Sequence, residues 1–268
     1  MTEVETREWR LIREESRDGP TNMALDEIAA KSATEDGVRT LRVYRWEPSC
    51  LSLGYRQSPG SVDWEYCERE GIDVTRRPTG GGGIYHDEYA DISYSIVAPA
   101  DELPGDLMEC YDLLCTPVLD AFDRMGVDAD FADDEHPAIH EPACYLRDVH
   151  PAHDVLASGR KISGNAQYRQ REAVIQHGSL SYSLASDRHC GVFDGKPDTD
   201  AFEGRVTSVR DEAGIDRDEA VGAVESALAD WADADEGGWS VDELAAAADL
   251  ADSKYRSDAW TKDRTVPS

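Results

Sequence analysis

The pattern of apolar and polar positions along the chain predicts several strands. In several segments of the N-terminal half, apolar and polar side chains alternate from one residue to the next, as they do in half-buried strands. These segments are residues 40–46, 50–55, 72–77 and 91–97. Two short apolar runs, at residues 155–157 and 173–175, are predicted as strands on either side of Lys161.

Apolar side chains at spacings of three and four predict helices elsewhere. The strongest amphipathic pattern lies at residues 105–125. Further helices are predicted at residues 22–31, 62–69, 217–233 and 241–255. Asn22 is the expected N-cap of the first of them, because its side chain can accept a backbone hydrogen bond. Residues 128–152 are acidic and contain three prolines, so we expect a long loop over the functional site.

The chain is long enough for one large domain with a small addition. Hydrophobic residues make up 40% of the sequence, which is sufficient for a core. No linker divides the chain, and we expect a main domain over residues 1–238 and a short helical C-terminal extension over residues 239–268. The sequence contains neither the ~18 consecutive apolar residues of a membrane helix nor a signal-peptide core. We therefore expect a soluble, cytoplasmic protein with no membrane partner.

The charge balance is strongly acidic along the whole chain. There are 27 Lys and Arg residues against 56 Asp and Glu, a formal net charge of −29. Such a field repels phosphate backbones, so nucleic-acid binding is not expected. Acidity of this kind is typical of a halophilic protein in molar cytoplasmic salt, as in a haloarchaeon, because salt screens the self-repulsion. A mesophilic acidic protein is the alternative.

The six cysteines do not form a metal-binding pattern. They are Cys50, Cys67, Cys110, Cys115, Cys144 and Cys190, and none belongs to a C-x-x-C pair. We expect reduced thiols and no protein-bound metal. One of them, Cys144, lies in the proline-containing loop and is a candidate nucleophile.

A run of four glycines follows the strand predicted at residues 72–77. The segment reads Arg-Arg-Pro-Thr-Gly-Gly-Gly-Gly-Ile-Tyr-His-Asp and spans residues 76–87. Consecutive glycines let a ligand approach bare backbone N–H groups, and the arginines supply positive charge. The segment matches neither a Walker A loop nor the G-x-G-x-x-G fingerprint.

A second candidate segment surrounds Lys161, one of only five lysines in the chain. It reads Gly-Arg-Lys-Ile-Ser-Gly-Asn-Ala-Gln over residues 159–167. A flexible ammonium between two glycines is suited to hold a carboxylate or acyl-phosphate oxygen. A third segment, His177-Gly178, follows at the predicted end of a strand. A lone histidine there is more often structural than catalytic.

These segments resemble, in order and spacing, the lipoate–protein ligase A and octanoyltransferase family, which is related to the biotin ligases. The resemblance runs from residues 22–26 through 53–55, 76–87 and 161–167 to residues 254–260. It implies an α+β catalytic domain with a mixed, largely antiparallel sheet flanked by helices, related to the class II aminoacyl-tRNA synthetases. An enzyme is preferred over a non-catalytic scaffold because no motif residue has been lost.

As a ligase, the protein would activate lipoate with ATP and Mg²⁺ as lipoyl-adenylate and transfer it to a lysine. The resemblance implies nucleotide contacts by Arg77, Gly82, Gly83, Ile84, Tyr85 and Lys161. Lys161 would hold both the phosphate and the acyl carbonyl. Substrate contacts are implied for Arg76, Gly80, Gly81, His86, Gly164, Gln167, His177 and Gly178. Leu53, Ile84 and Tyr85 are expected to line a tunnel for the acyl chain.

As an octanoyltransferase, the protein would use thioester exchange and no ATP. One branch of that family carries a cysteine nucleophile upstream of the lysine, and Cys144 lies 17 residues before Lys161. The residues around His153 are closer to the ligase pattern, so the sequence favours the ligase narrowly and leaves the transferase as the alternative.

The resemblance also implies the protein partners. The acceptor would be an apo-lipoyl domain, either of a 2-oxoacid dehydrogenase acyltransferase subunit or of the glycine-cleavage carrier protein. An acyl carrier protein and an accessory ligase subunit are further candidates.

Overall fold

The computed structural model describes residues 7–151, 153–169 and 172–266. The strands are β1 (Trp9–Arg17), β2 (Arg39–Trp46), β3 (Cys50–Leu53), β4 (Asp73–Arg76), β5 (Ile84–His86), β6 (Asp91–Pro99), β7 (Ala129–Phe131), β8 (Asp154–Ala157), β9 (Arg160–Arg169), β10 (Ala173–Ser181) and β11 (Asp235–Glu236). The helices are α1 (Gly19–Glu35), α2 (Trp64–Arg69), α3 (Leu107–Arg124), α4 (Ser186–Gly191), α5 (Thr199–Arg205), α6 (Val209–Ala213), α7 (Arg217–Ala232), α8 (Val241–Leu250) and α9 (Asp258–Asp263).

Two sheets form the framework of the fold. The large sheet has the order β11-β1-β2-β6-β10-β9-β8-β7, with parallel pairing between β11, β1 and β2 and antiparallel pairing elsewhere. The small sheet has the order β4-β3-β5, and β3 pairs in parallel with β4 and antiparallel with β5. The predicted α+β class with a mixed, largely antiparallel sheet is therefore confirmed.

Helices cover both faces of the large sheet. Ile92, Tyr94 and Ile96 of β6 pack in the core beneath α3 and α7. The alternating residue Val97 faces the other side, where it packs against the alanines of α1. Ser95 shares that side, because its hydroxyl bonds to Asp26 of α1. Strand alternation thus gives the sheet one apolar face and one face with polar side chains.

The predicted strands and helices are found with shifted boundaries. Strand β6 extends to Pro99, and α3 matches the predicted amphipathic helix to within two residues at its start. The prediction of Asn22 as an N-cap was wrong: α1 begins at Gly19, and Asp18 caps it by accepting a bond from the Thr21 N–H.

Three other features differ from the sequence-based expectation. Strand β1 was not predicted, because the central part of Trp9–Arg17 does not alternate cleanly. The segment around Lys161 lies inside β9 and is not a loop. The predicted helix 241–255 is α8 followed by a π-helical turn at Ala251–Tyr255.

The long loop and the C-terminal segment both lie near the predicted site. Of the loop predicted at 128–152, the described residues 128–151 are largely irregular, apart from β7 and one 3₁₀ turn at Cys144–Leu146. In the C-terminal segment, Trp260 Nε1 donates to the Arg76 carbonyl at 2.7 Å. Among the described residues, no helix is both long and apolar enough to cross a bilayer.

Candidate active site

A cavity of about 270 Å³ lies where the two sheets meet. The small sheet and the glycine run contribute one wall, and β6, β9 and β10 contribute the other. Its apolar lining comes from Met23, Tyr44, Trp46 and Ile84. The polar lining includes Cys144, Asp154 and Lys161. A mainly apolar pocket with a few converging polar groups is the usual form of a small-molecule site.

Lys161 forms a buried ion pair at the cavity wall. Its Nζ lies 2.7 Å from Asp154 Oδ1 and donates to the Cys144 carbonyl oxygen at 3.1 Å. Both charged side chains are only 2% exposed. Burial alone would lower the pKa of Lys161, but the adjacent Cys144 and the carboxylate of Asp154 outweigh it and raise the pKa. Lys161 is therefore an ammonium at neutral pH.

Asp154 is the acidic partner of this pair. Burial raises its pKa, but the Lys161 ammonium and the neighbouring His153 lower it by more. The pKa of Asp154 therefore lies well below the usual range. Its second oxygen, Oδ2, accepts the His150 backbone N–H at 2.9 Å. The carboxylate is thus fixed at both oxygens and stays ionised at neutral pH.

Cys144 is the most accessible thiol of the protein. It begins the 3₁₀ turn at Cys144–Leu146 and is half-buried, whereas the other cysteines are buried. Burial raises the pKa of the other thiols, which are those of Cys50, Cys67, Cys110, Cys115 and Cys190. Of the six, only Cys144 lines the cavity.

Gly164 leaves a gap between the ammonium and the thiol. A Cβ built on Gly164 would lie 3.5 Å from Lys161 Nζ and 3.7 Å from Cys144 Sγ. The side chain that glycine lacks would therefore occupy the space that both reactive groups border. All three residues line the same cavity.

The glycine loop (residues 80–83) is attached to the Cys144 turn. Gly83 N donates to the Pro142 carbonyl at 2.7 Å, and Cys144 N donates to the Gly83 carbonyl at 2.8 Å. A Cβ on Gly82 would approach Cys144 N to 2.9 Å. Close backbone packing thus requires glycine at 82.

The two arginines before the glycine loop are used in different ways. Arg77 is buried and donates to backbone oxygens of Ser52, Gly80 and Gly82 at 2.6 to 2.9 Å. Burial lowers its pKa to about 10, so it remains charged at neutral pH. Arg76 faces away from the cavity, and its Nε donates to the Thr261 carbonyl at 2.9 Å.

Two histidines are fixed by hydrogen bonds within the cavity wall. His86 Nε2 lies 2.9 Å from Ser52 Oγ, its Nδ1 lies 3.1 Å from Asp91 Oδ2, and its ring stacks on Trp46. His177 Nε2 lies 2.7 Å from Thr79 Oγ1. Burial lowers the pKa of His177, so its imidazole is neutral at neutral pH.

Most of the residues predicted from the sequence line one cavity. These are Arg77, Gly80, Gly81, Gly82, Ile84, His86, Cys144, Lys161, Gly164, His177 and Gly178. Four others lie outside its lining, namely Arg76, Gly83, Tyr85 and Gln167. Tyr85 donates to Asp87 at 2.9 Å, and the Gln167 amide donates to Gln176 at 2.7 Å. Leu53, expected in the acyl tunnel, is buried in the core of the small sheet.

Sequence reasoning missed several residues of the cavity. Asp154 belongs to the stretch around His153 that resembles the ligase pattern, but the sequence assigned no role to its carboxylate. Met23, Tyr44 and Trp46 come from α1 and β2, and nothing in their local pattern points to a cavity. In residues 7–151, 153–169 and 172–266, no group of three His, Cys, Asp or Glu side chains could hold a metal ion.

The comparisons with known proteins agree with this architecture of an acyl-transfer enzyme. Residues 18–230 match the family model described as the lipoyl protein ligase A/B catalytic domain, and the chain belongs to this family. It is therefore an enzyme of the lipoate ligase and octanoyltransferase group.

The curated relatives are named as transferases. Octanoyltransferase LipM of Halalkalibacterium halodurans is 33% identical over 196 residues, which is 69% of this chain and 70% of the relative. Octanoyltransferase LipM of Kyrpidia tusciae is 32% identical over 274 residues, covering 94% of this chain and 97% of the relative.

The similar solved structures are ligases. A crystal structure of lipoate-protein ligase A bound with ATP superposes with a TM-score of 0.80 at 26% identity, covering 95% of this chain and 98% of that one. The bi-partite lipoate protein ligase of Thermoplasma acidophilum has a TM-score of 0.79 at 23% identity over 98% and 99% of the two chains, a likeness that shows the fold alone. The family is thus established, and the choice between two reactions turns on the site.

Proposed function

We propose that the protein transfers an octanoyl group from an acyl carrier protein to a lysine of an apo-lipoyl domain, with Cys144 as the nucleophile. The observation that carries this proposal is the shared gap at Gly164, bordered by Lys161 Nζ and Cys144 Sγ. The names of the curated relatives support the same reaction. This reverses the narrow preference for the ligase that the sequence alone gives.

The first half-reaction forms an acyl-enzyme. The Cys144 thiolate attacks the carbonyl carbon of the octanoyl thioester, and the carbonyl oxygen becomes an oxyanion that the Lys161 ammonium stabilises. The C–S bond to the carrier then breaks. The carrier leaves as a thiolate and takes up the equivalent of the proton that Cys144 gave to solvent.

The second half-reaction forms the amide. The neutral amine of the acceptor lysine attacks the octanoyl–Cys144 thioester, and a second oxyanion forms in the same gap. The C–S bond to Cys144 breaks, and the proton lost by the nitrogen goes to the departing sulfur. The acceptor is a lipoyl domain of a 2-oxoacid dehydrogenase acyltransferase subunit or the glycine-cleavage carrier protein.

ATP-dependent lipoate ligation is the second candidate. The similarity to a ligase structure that binds ATP favours it. An outer groove beside the glycine loop is lined by Arg56, Glu141, Arg147 and Gly80–Gly82. Its arginines and bare backbone suit a nucleotide phosphate, while Glu141, 3.5 Å from Arg147, offsets part of the positive charge. Lys161 would then hold the lipoate carbonyl, and Cys144 would have no covalent role. The described residues identify no ligand for Mg²⁺.

Acylation of an apo-lipoyl domain in high KCl separates the two reactions. One arm supplies octanoyl-acyl carrier protein without ATP, and the other supplies lipoate with ATP and Mg²⁺. We expect product in the carrier arm, lost in Cys144→Ala and retained in the matched control Cys190→Ala, because Cys190 lies outside the cavity lining. Product only in the ATP arm, unaffected by Cys144→Ala, would establish the ligase instead.

A further inference from the structure

Lys161 reaches the cavity because β9 is irregular at this point. In the pairing of β8 with β9, Asp154 lies opposite Gly164 and Val155 opposite Ser163, but Leu156 lies opposite Lys161. One residue of β9, Ile162, is therefore extra, as in a β-bulge, and bulges change the direction of side chains near active sites. Ile162 packs in the apolar core, and Lys161 lies at the cavity together with Gly164.

Asp154 determines where the Lys161 ammonium lies. Its Oδ1 is 2.7 Å from Lys161 Nζ, and its Oδ2 is held by the His150 backbone N–H. The Cys144 carbonyl engages a second N–H of the ammonium at 3.1 Å. A lysine ammonium has three N–H donors, and within the described residues these two acceptors are the ones that engage it. One donor remains for the gap at Gly164.

We propose that Asp154 is a positioning residue that holds Lys161 as a fixed cation beside Cys144, so that Lys161 stabilises the oxyanion and does not serve as the base. This inference rests on the proposed octanoyl transfer. It assigns the proton of Cys144 to solvent, because an ammonium paired with a buried carboxylate has no lone pair to accept it. Asp154 touches no reacting atom and acts through Lys161.

Several other titratable or charged groups face this pair. They are Cys144, Tyr145, Arg147, Asp148, His150 and His153 on the loop and His189 on α4. Burial raises the pKa of Tyr145 and lowers the pKa of His189 to about 3. Tyr145 is therefore a neutral phenol, and His189 a neutral imidazole, between pH 7 and 10. A change in the alkaline pH dependence therefore points to Lys161.

The decisive variant is Asp154→Asn, which removes the charge and keeps the size of the side chain. A buried lysine without a counter-charge has its pKa lowered by up to about 3–5 units. In a plot of kcat against pH, we expect the alkaline decline to begin at least about 2 pH units lower than in the wild type. Activity should be regained as the pH is lowered. Asp154→Glu retains the charge, so its alkaline limb should stay near that of the wild type although kcat falls.

A second measurement determines the pKa of Lys161 directly, in the protein without substrate. Competitive acetylation with trace acetic anhydride across pH, followed by mass spectrometry, gives a pKa for each lysine, and the exposed Lys31, Lys196 and Lys262 serve as internal references. The Lys161 pKa should fall by at least about 2 units in Asp154→Asn. It should change by less than about half a unit in Asp148→Asn, which removes an exposed charge from the same loop.

The outcomes are separable. The inference is overturned if the Lys161 pKa is unchanged in Asp154→Asn. It is also overturned if kcat falls equally at every pH, so that the alkaline decline stays where it is in the wild type. If the wild type transfers no octanoyl group but ligates lipoate with ATP, the proposed function fails. The acetylation result then still decides whether Asp154 fixes the charge of Lys161.

Discussion

Arg77 and Lys161 lie on opposite walls of the cavity, and they differ in how many N–H donors remain available to a substrate. Arg77 has five N–H donors, and its Nε, Nη1 and Nη2 all bond to oxygens of Ser52, Thr79 and the glycine loop. Lys161 has three donors, and the Asp154 and Cys144 oxygens engage two of them. Arg77 therefore holds backbone in place, whereas Lys161 has one N–H beyond these two contacts, which we propose it offers to the substrate.

The difference shows that a conspicuous cation in a sequence need not face a ligand. A guanidinium surrounded by carbonyl oxygens organises a loop, because each donor fixes one piece of backbone. An ammonium next to one carboxylate keeps its charge in a nearly dry site, where electrostatic stabilisation of an oxyanion is strong. Substitutions on the two sides should therefore affect different measured quantities.

The largest expected effect is at Lys161. Lys161→Ala should lower kcat for acyl transfer by about 10²–10³-fold, the usual cost of one lost oxyanion donor. Because it removes the ammonium that pairs with the buried Asp154 carboxylate, we also expect a loss of stability of about 3–5 kcal/mol. Steady-state kinetics in high KCl, with Lys196→Ala as the exposed control, measures the first effect. Retention of more than a tenth of the wild-type activity would contradict the assigned role.

A smaller effect is expected at Gly164. Gly164→Ala places a methyl group 3.3 Å from Lys161 Cε, 3.5 Å from Lys161 Nζ and 3.7 Å from Cys144 Sγ, so the flexible lysine side chain must shift by a few tenths of an ångström. We expect kcat/KM to fall by about 10-fold or more with little change in the melting temperature. Gly222→Ala is the matched control, because nothing lies near the added Cβ and alanine favours the α7 helix. Full activity of Gly164→Ala would show that the substrate carbonyl lies elsewhere.

The smallest effect on kcat is expected for the arginines. Arg77→Lys keeps the charge but satisfies at most three of the five acceptor contacts, so the melting temperature should fall and KM should rise, with kcat reduced by less than about 10-fold. Arg76→Lys should lower the melting temperature and leave kcat within about twofold, since Arg76 lies outside the cavity lining. A kcat loss at Arg77 as large as that of Lys161→Ala would remove the distinction between the two sides.

Local patterns in the sequence predicted much of the framework. The alternation in β6 and the helical spacing in α3 are properties of neighbouring residues, and both elements were located correctly. The glycine loop and Lys161 were recognised from their residue types, and Cys144 from the resemblance to a family branch with a cysteine upstream of the lysine. Each of these signals can be read within a window of about twenty residues.

What the sequence did not reveal depends on contacts between distant segments. The irregular pairing at Ile162 follows from the register of β8 and β9, and without it Lys161 would not face Gly164. Asp154 stands out only when Lys161 is known to lie beside it. Met23 enters the cavity because α1 packs on the polar face of the large sheet, an arrangement that no single helix specifies.

The contact between α9 and β4 has a consequence for how the enzyme is made. Trp260 and Thr261 bond to Arg76 across 184 and 185 positions of sequence, and Arg76 lies directly before the segment that leads into the glycine loop. During synthesis on the ribosome, Arg76 emerges long before these partners do. The nascent chain can form its early strands and helices, but the stem of the glycine loop lacks these two supports until residues 260 and 261 have been synthesised. Activity should therefore appear only after α9 has emerged, later than the strands and helices that surround the cavity.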